Sequence, residues 1–253
     1  MASKIYLLVK VFDKEEYAEA FINEGAMLCR TLEYFRCIEN DGARGDVYEG
    51  VSHWLQPEQT TLMVSIENKD DAGQPFPISS IVGPITMRHS LFDKLNLFCM
   101  YAIKIQEFEE SYETEEEKVK IVEIINKDLK IQTRLTEEAL SLGEFAVVIY
   151  KVEDFINKVK EVAGAQKLKC LSCAVEYYDP ETFHGVFSGL EPIFRKRNIY
   201  APQNEYRFAF SSNTHEEKRV IRIGSLDGIA FKVPTRIFNG SILLKLDESN
   251  HQE

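Results

Sequence analysis

The chain has 253 residues, of which 44% are apolar and 28% charged. That balance excludes a wholly disordered, collagenous or small disulfide-stapled protein. Acidic residues number 41 against 30 basic, a formal net charge of −11, which disfavours a non-specific nucleic-acid coat but leaves room for a local basic site. At roughly 100–200 residues per domain the length admits one large domain or two small ones, and no proline- or glycine-rich linker divides it. The expectation is a single α+β domain over 1–246, with a mixed, mainly antiparallel sheet and flanking helices, and a frayed tail at 247–253. No apolar run approaches the roughly 20 residues of a spanning helix. The opening, MASKIYLLVKVFDKEE, has no small-residue cleavage site and reads as a strand rather than a signal peptide. Five cysteines are an odd set, simplest as reduced thiols in a cytoplasmic protein with no membrane partner.

In chain order, IYLLVKV at 5–11 is a β-branched and aromatic run without a breaker. Asp13 stands three residues before Glu16, the spacing of a capping box, and Tyr17, Phe21 and Ile22 form one helical stripe that Gly25 stops. A strand follows at 26–32. Residues 36–53, RCIENDGARGDVYEGVSH, show neither helical nor strand periodicity and read as an ordered loop anchored by Val47, Tyr48 and Val51. Residues 59–66 resume as a strand, 67–76 form a polar turn, and ISSIVGPITM holds a further short strand. LNLFCMYAIKI at 95–105 is a buried-strand candidate. Seven glutamates crowd the next 12 residues, EFEESYETEEEK, as a solvated helix or surface excursion. Residues 134–143 read as helix and 144–150 as strand. Val152, Phe155, Ile156 and Val159 make an amphipathic helix. The last third reads as strands at 168–178, 205–212, 218–224, 229–233 and 241–246, with the spacing of an antiparallel sheet.

Local enzyme signatures are missing: there is no GxxxxGK[ST], no strand-borne GxGxxG, no HExxH, no G-x-S-x-G and no deaminase HxE…PCxxC. Cys170 and Cys173 have the spacing of a zinc or redox pair. A strand would point them to opposite faces, so neither zinc nor a disulfide is expected, although Cys99, His184 and His53 are the nearest further ligands on offer. His184, in a loop-like segment beside Ser188, is a candidate catalytic histidine or a structural one.

Two constellations carry most of the unusual chemistry. The first is Arg44-Gly45-Asp46-x-x-Glu49-Gly50. Its arginine offers a planar fork for phosphate or carboxylate, and its acids either orient that fork, accept sugar hydroxyls or pin the loop ionically. The second runs from Phe194 to Phe208. It carries a basic cluster, Arg195, Lys196 and Arg197, as a local patch for a protein or nucleic-acid acceptor. Alternation then sets Gln203, Glu205 and Arg207 on one face of a strand start, with Tyr206 and Phe208 toward the core. Those three polar groups face either solvent or a polar ligand.

The opening strand-helix-strand, the RGDxxEG loop and the segment with Tyr200, Gln203, Glu205, Tyr206 and Arg207 together resemble a bacterial and phage-associated family with a Tyr-x-x-Gln/Glu-x-Glu-Tyr-Arg strand motif. That resemblance implies a setting in bacterial or phage defence or counter-defence and little chemistry. Gln203-x-Glu205 is also similar to the Gln-x-Glu signature of mono-ADP-ribosyltransferases. This second resemblance implies NAD as cofactor and transfer to a macromolecular acceptor. Glu205 would be the catalytic carboxylate that stabilises an oxocarbenium-like transition state, and Gln203 would help to choose the acceptor. Arg44, Glu49, Arg207 and Tyr200 would line the NAD site. Lys10, Arg30 or Arg44 would stand for the early phosphate-gripping arginine, and Ser188 only loosely for the Ser-Thr-Ser strand. The competing expectations are a non-catalytic interaction protein, with these charges paired among themselves, and a metal-dependent nuclease or phosphodiesterase using Asp46, Glu49 and Glu205.

Overall fold

The computed structural model describes residues 3–38, 45–65, 67–68, 71–72, 74–78, 80–106, 113–243 and 245. Arg44, most of the acidic stretch at 107–112 and the tail at 247–253 lie outside them.

Strand β1 (Ser3–Phe12) is apolar almost throughout because both its faces are covered, Leu8 on one and Val9 on the other. Helix α1 (Glu15–Glu24) starts one residue later than the capping-box spacing predicts. Lys14 therefore takes the N-cap, without a side-chain cap bond, and the Asp13–Glu16 box does not form. Gly25 stops the helix as expected, at φ +62°. β2 (Ala26–Thr31) runs straight into α2 (Leu32–Cys37), capped by Thr31 Oγ1, which accepts from Tyr34 N. The expected loop at 36–53 is thus shorter, bounded by α2 and by β3 (Val51–Leu55). The strand expected at 59–66 shrinks to β4 (Met63–Val64). It belongs to a nested hairpin in which β5 (Glu67–Asn68) pairs with β6 (Asp71–Ala72) inside the pairing of β4 with β7 (Phe76–Pro77).

β8 (Ile85–Arg88), α3 (Ser90–Asp93) and the long β9 (Asn96–Gln106) follow. The end of the glutamate-rich stretch becomes the first turn of α4 (Glu115–Gln132), where Thr114 and Glu117 form a full capping box. Beyond it come α5 (Glu137–Leu140), β10 (Phe145–Ile149) and α6 (Val152–Ala165). The strand read at 168–178 divides at Val175 into β11 (Lys169–Ala174) and β12 (Glu176–Tyr178). After them stand β13 (Gly185–Val186), β14 (Arg195–Arg197), β15 (Glu205–Ser211), β16 (Lys218–Arg222), β17 (Ala230–Pro234) and α7 (Thr235–Phe238). Ser241–Leu243 follow α7 without joining a sheet, contrary to the strand expected there.

The main sheet is antiparallel, in the order β11-β15-β9-β1-β10-β17. β9 borders β15 with its first half and β1 with its second; β2, carrying β16, fills the place beside Asn96 and Leu97 that β1 does not reach. The small β12–β14 ladder is parallel, so the architecture is the expected α+β domain with a mixed, mainly antiparallel sheet and flanking helices. α1 and α6 cover one face, where Phe21 and Phe155 meet each other and the sheet rings Phe98 and Phe208. Leu129 of α4, Ala139 of α5 and Phe238 of α7 cover the other face over β1 and β10. Toward β15 that second face is covered by Leu32 and by Ile193 of a 3-10 turn, Glu191–Phe194. The aromatic richness resolves into packed rings: Trp54, Tyr178, Phe183 and Phe187 form an outer cluster in which Phe183 and Phe187 stack at 4.5 Å.

Tyr206, Phe208 and Phe210 do face the α1–α6 core, and Glu205, Arg207 and Ala209 share the opposite face. That opposite face is not open, because the 190–197 segment and the Asp46–Glu49 turn lie over it, so Glu205 to Phe210 are all buried. Gln203 stands before the strand, in the 3-10 turn Asn198–Gln203.

Candidate functional site: a buried ion network

β15 places Glu205 and Arg207 on one side of the sheet, two residues apart, and β14 brings in Lys196 from above. Arg207 Nε donates to Glu205 Oε1 at 2.6 Å, and Lys196 Nζ donates to Glu205 Oε2 at 2.8 Å. Both carboxylate oxygens of Glu205 are therefore taken. Arg207 Nη1 donates to the Ile193 carbonyl and lies 2.6 Å from Glu49 Oε1, while Lys196 Nζ is 3.6 Å from Glu49 Oε2. Two carboxylates and two cations thus close on one another with zero net charge. Their exposures are 0% for Glu49, 1% for Arg207, 4% for Lys196 and 6% for Glu205. The four side chains pack against each other.

Glu49 is the least satisfied member. Neither of its oxygens accepts an aligned hydrogen bond, so the two cations hold it by charge rather than by directed bonds. Around this centre Gln203 Oε1 accepts from Lys196 Nζ at 3.0 Å, and Glu205 N donates to the Tyr177 hydroxyl at 2.9 Å. A second pair lies toward the surface: Arg197 Nη2 donates to Asp46 Oδ1 at 2.9 Å, and Asp46 also accepts from Tyr48 N at 3.0 Å. The Arg197 guanidinium stacks over Tyr48 at 4.5 Å, and its Nη2 donates to the half-buried Tyr200 hydroxyl at 3.4 Å.

The electrostatics follow from this crowding. Burial alone would raise the Glu205 carboxyl, but Arg207 and Lys196 outweigh it and hold the group well below the usual carboxylate range. Burial alone would lower Lys196 and Arg207; Glu205 and Glu49 reverse that and keep both cations charged. Burial pushes the Tyr177 phenol up to about 12 and the Cys99 thiol, opposite Arg207 in the ladder, up to about 12.

Of the residues picked out by the sequence, the fold brings together Glu49, Gln203, Glu205 and Arg207, with Tyr200 at the outer edge, while Arg44 lies outside the described residues. The alternatives to Arg44 go elsewhere. Lys10 donates to the Cys99 carbonyl and lies over Phe98, a ring of the α1–α6 core, and Arg30 stacks over Tyr34.

The expected basic patch does not form as an exposed unit. Arg195 pairs with Glu176, Arg197 pairs with Asp46, and Lys196 points inward. Strand alternation within Arg195-Lys196-Arg197 carried that signal: the middle residue faces away from its neighbours. Lys196 is thus the central residue that reading the three as one patch misses, and Tyr177 has no local signal at all. His184 Nδ1 accepts from Gln56 N, a structural tie, and Ser188 N donates to Glu191. Cys170 faces the α1–α6 core and Cys173 is exposed, on opposite sides of β11. Among the described residues, no three His, Cys, Asp or Glu side chains are placed to hold a metal ion, and no helix is long and apolar enough to cross a membrane. No family model, curated protein or solved structure matches the chain.

Proposed function

We propose that this chain is a non-catalytic interaction protein, in which the Glu49–Glu205–Lys196–Arg207 network is a structural lock between the Asp46–Glu49 turn and the sheet. The observation that carries the reading is the state of Glu205: Arg207 and Lys196 engage both its oxygens, and it is almost completely buried. A carboxylate that accepts a ribose hydroxyl needs a free oxygen in a ligand-sized concavity. Buried ion networks add little net stability over apolar packing of the same volume, but losing one partner is costly. Such a network suits a device that fixes one loop conformation.

The second reading, an NAD-dependent mono-ADP-ribosyltransferase acting on a macromolecular acceptor, is favoured by two features. Gln203 and Tyr200 lead from the surface to Lys196 and Glu205, and Glu49 is a buried carboxylate without aligned donors. Catalysis there would require Lys196 to release Glu205 as NAD enters. The metal-dependent nuclease reading would need Asp46, Glu49 and Glu205 each to exchange a cationic side chain for metal, and no observation favours it.

The deciding experiment compares wild type with Glu205→Gln for melting temperature, NAD affinity by calorimetry and NAD turnover over a panel of protein and nucleic-acid acceptors. The lock predicts a large fall in melting temperature and no NAD binding or turnover by either protein. Wild-type turnover that Glu205→Gln lowers by about 10²-fold, with little loss of stability, would replace this reading with the transferase.

A further inference from the structure

Among the described residues three strands of the main sheet, β11, β16 and β17, pair on one side only, and their edges are not protected alike. At one end β17 carries Lys232, which Glu15 and Glu19 of α1 hold, and it closes on Pro234 before α7. β16 carries Lys218, Arg219 and Arg222 within five residues. Charge and proline are the usual means of preventing an edge from recruiting another strand. β11, at the other end, has neither beyond Lys169 at its start. Its register with β15 runs through six consecutive pairs without a bulge, so nothing twists that edge away.

A groove of about 420 Å³ runs along β11. It is lined on one side by the four consecutive residues Leu171, Ser172, Cys173 and Ala174. Leu171 and Cys173 share the outer face of β11, and β11 pairs on one side only, with β15, so among the described residues its other backbone edge is unpaired. The other wall presents Leu190 and Phe194, and Leu190 and Leu171 are both exposed apolar side chains. At about 3.4 Å per residue the edge spans about 14 Å, room for four residues of an extended chain. On the rim, Glu176 and Glu191 both pair with Arg195, so among the described residues these ion pairs carry one negative charge in excess. The chain's own segment at 107–112, EFEESY, and its tail at 247–253 are acidic and carry the wrong sign for that rim.

We propose that the β11 edge is a β-augmentation site for an extended partner peptide that carries apolar side chains alternating with a basic one. The peptide adds as a further antiparallel or parallel strand beyond β11, an apolar side chain seats between Leu171 and Leu190, and its basic residue meets Glu191. This deepens the interaction-protein reading by naming the surface and the chemistry of the partner.

The test is fluorescence anisotropy with labelled, end-capped pentapeptides of the pattern Thr-Val-Lys-Val-Thr, the two valines varied to leucine or phenylalanine. Hydrogen exchange is measured alongside. At least one peptide is expected to bind saturably and to protect the amides of Leu171–Ala174. Leu171→Lys should weaken that binding by tenfold or more with the melting temperature unchanged, because Leu171 is surface-exposed, and Glu191→Lys, which also breaks the Ser188 N bond and the Arg195 pair, should weaken it by several-fold. Saturable binding that Leu171→Lys does not weaken, or absence of binding across the panel at millimolar peptide, overturns the proposal. Concentration-dependent dimerisation abolished by Leu171→Lys overturns it in favour of a second copy on the same edge. NAD turnover by wild type would overturn the interaction-protein reading itself and is scored separately.

Discussion

Replacing Lys196 by methionine keeps most of the unbranched side chain, one atom shorter, and removes its charge. The change leaves Glu205 Oε2 and Gln203 Oε1 without their donor and leaves the four-group centre with one uncompensated negative charge. Breaking a buried pair in this way costs about 3–5 kcal/mol. For a chain of this size each kcal/mol lowers the melting temperature by about 2–4 °C, so a fall of about 6–20 °C is expected. Glu205→Gln errs in the other direction: Arg207 and Lys196 then face Glu49 alone, with one positive charge in excess, and a cost of similar size follows. The double variant restores neutrality, since Arg207 and Glu49 remain as a pair 2.6 Å apart. Its cost should resemble that of either single variant rather than their sum, a coupling of about 3 kcal/mol. Urea denaturation of wild type, both single variants and the double variant measures the cycle. Additivity within about 0.5 kcal/mol would refute the argument, because it would mean that the two charges do not sense each other.

Acid and alkali should both weaken the fold through this centre. Glu205 is held below its unfolded value of about 4.3, so its contribution is present above that pH and is lost as pH falls through the folded value; Lys196 and Tyr177 are held above their unfolded values of about 10.4 and 10, so theirs is present below those values and is lost as pH rises through the folded ones. Chemical denaturation from pH 3 to 11 checks this, and in Lys196→Met the alkaline loss should shrink. Phe155→Ala, which removes a fully buried ring between Phe21 and Phe208, should cost about 3–5 kcal/mol by urea denaturation. Gly25→Ala should destabilise by more than about 1 kcal/mol, since φ is +62° and a Cβ would meet Ile223 and the Gly224 carbonyl; Gly164→Ala, on the open side of α6, should gain up to about 1 kcal/mol, and matching melting curves for the two would contradict this. Thiol labelling in the native state should modify Cys37 and Cys173 readily, spare the buried Cys29 until unfolding and reach the half-buried Cys99, whose thiol burial holds neutral, only slowly, as peptide mapping would reveal.

What local pattern governs was legible in the sequence. The apolar runs of β1, β9 and β10, the helical stripe of α6 and the glycine stop of α1 each depend on neighbours a few residues away. So did the single-domain α+β architecture, which follows from strands and helices without a linker. Even the strangeness of RGDxxEG and of Gln203-x-Glu205-x-Arg207 stood out locally as charge where apolar residues were due. What those charges pair with is set by tertiary structure alone. Asp46 meets Arg197 across 151 residues of chain, and Glu49 meets Arg207 from a comparable distance. The covering of β15 on its second face comes from the 3-10 turn Glu191–Phe194 and the Asp46–Glu49 turn, neither of which alternation within β15 can reveal. Strand alternation names the two faces of a strand, but whether a face meets solvent, a ligand or an opposite charge depends on which distant segment packs over it, because burial and Coulomb interaction follow distance in space and not separation along the chain.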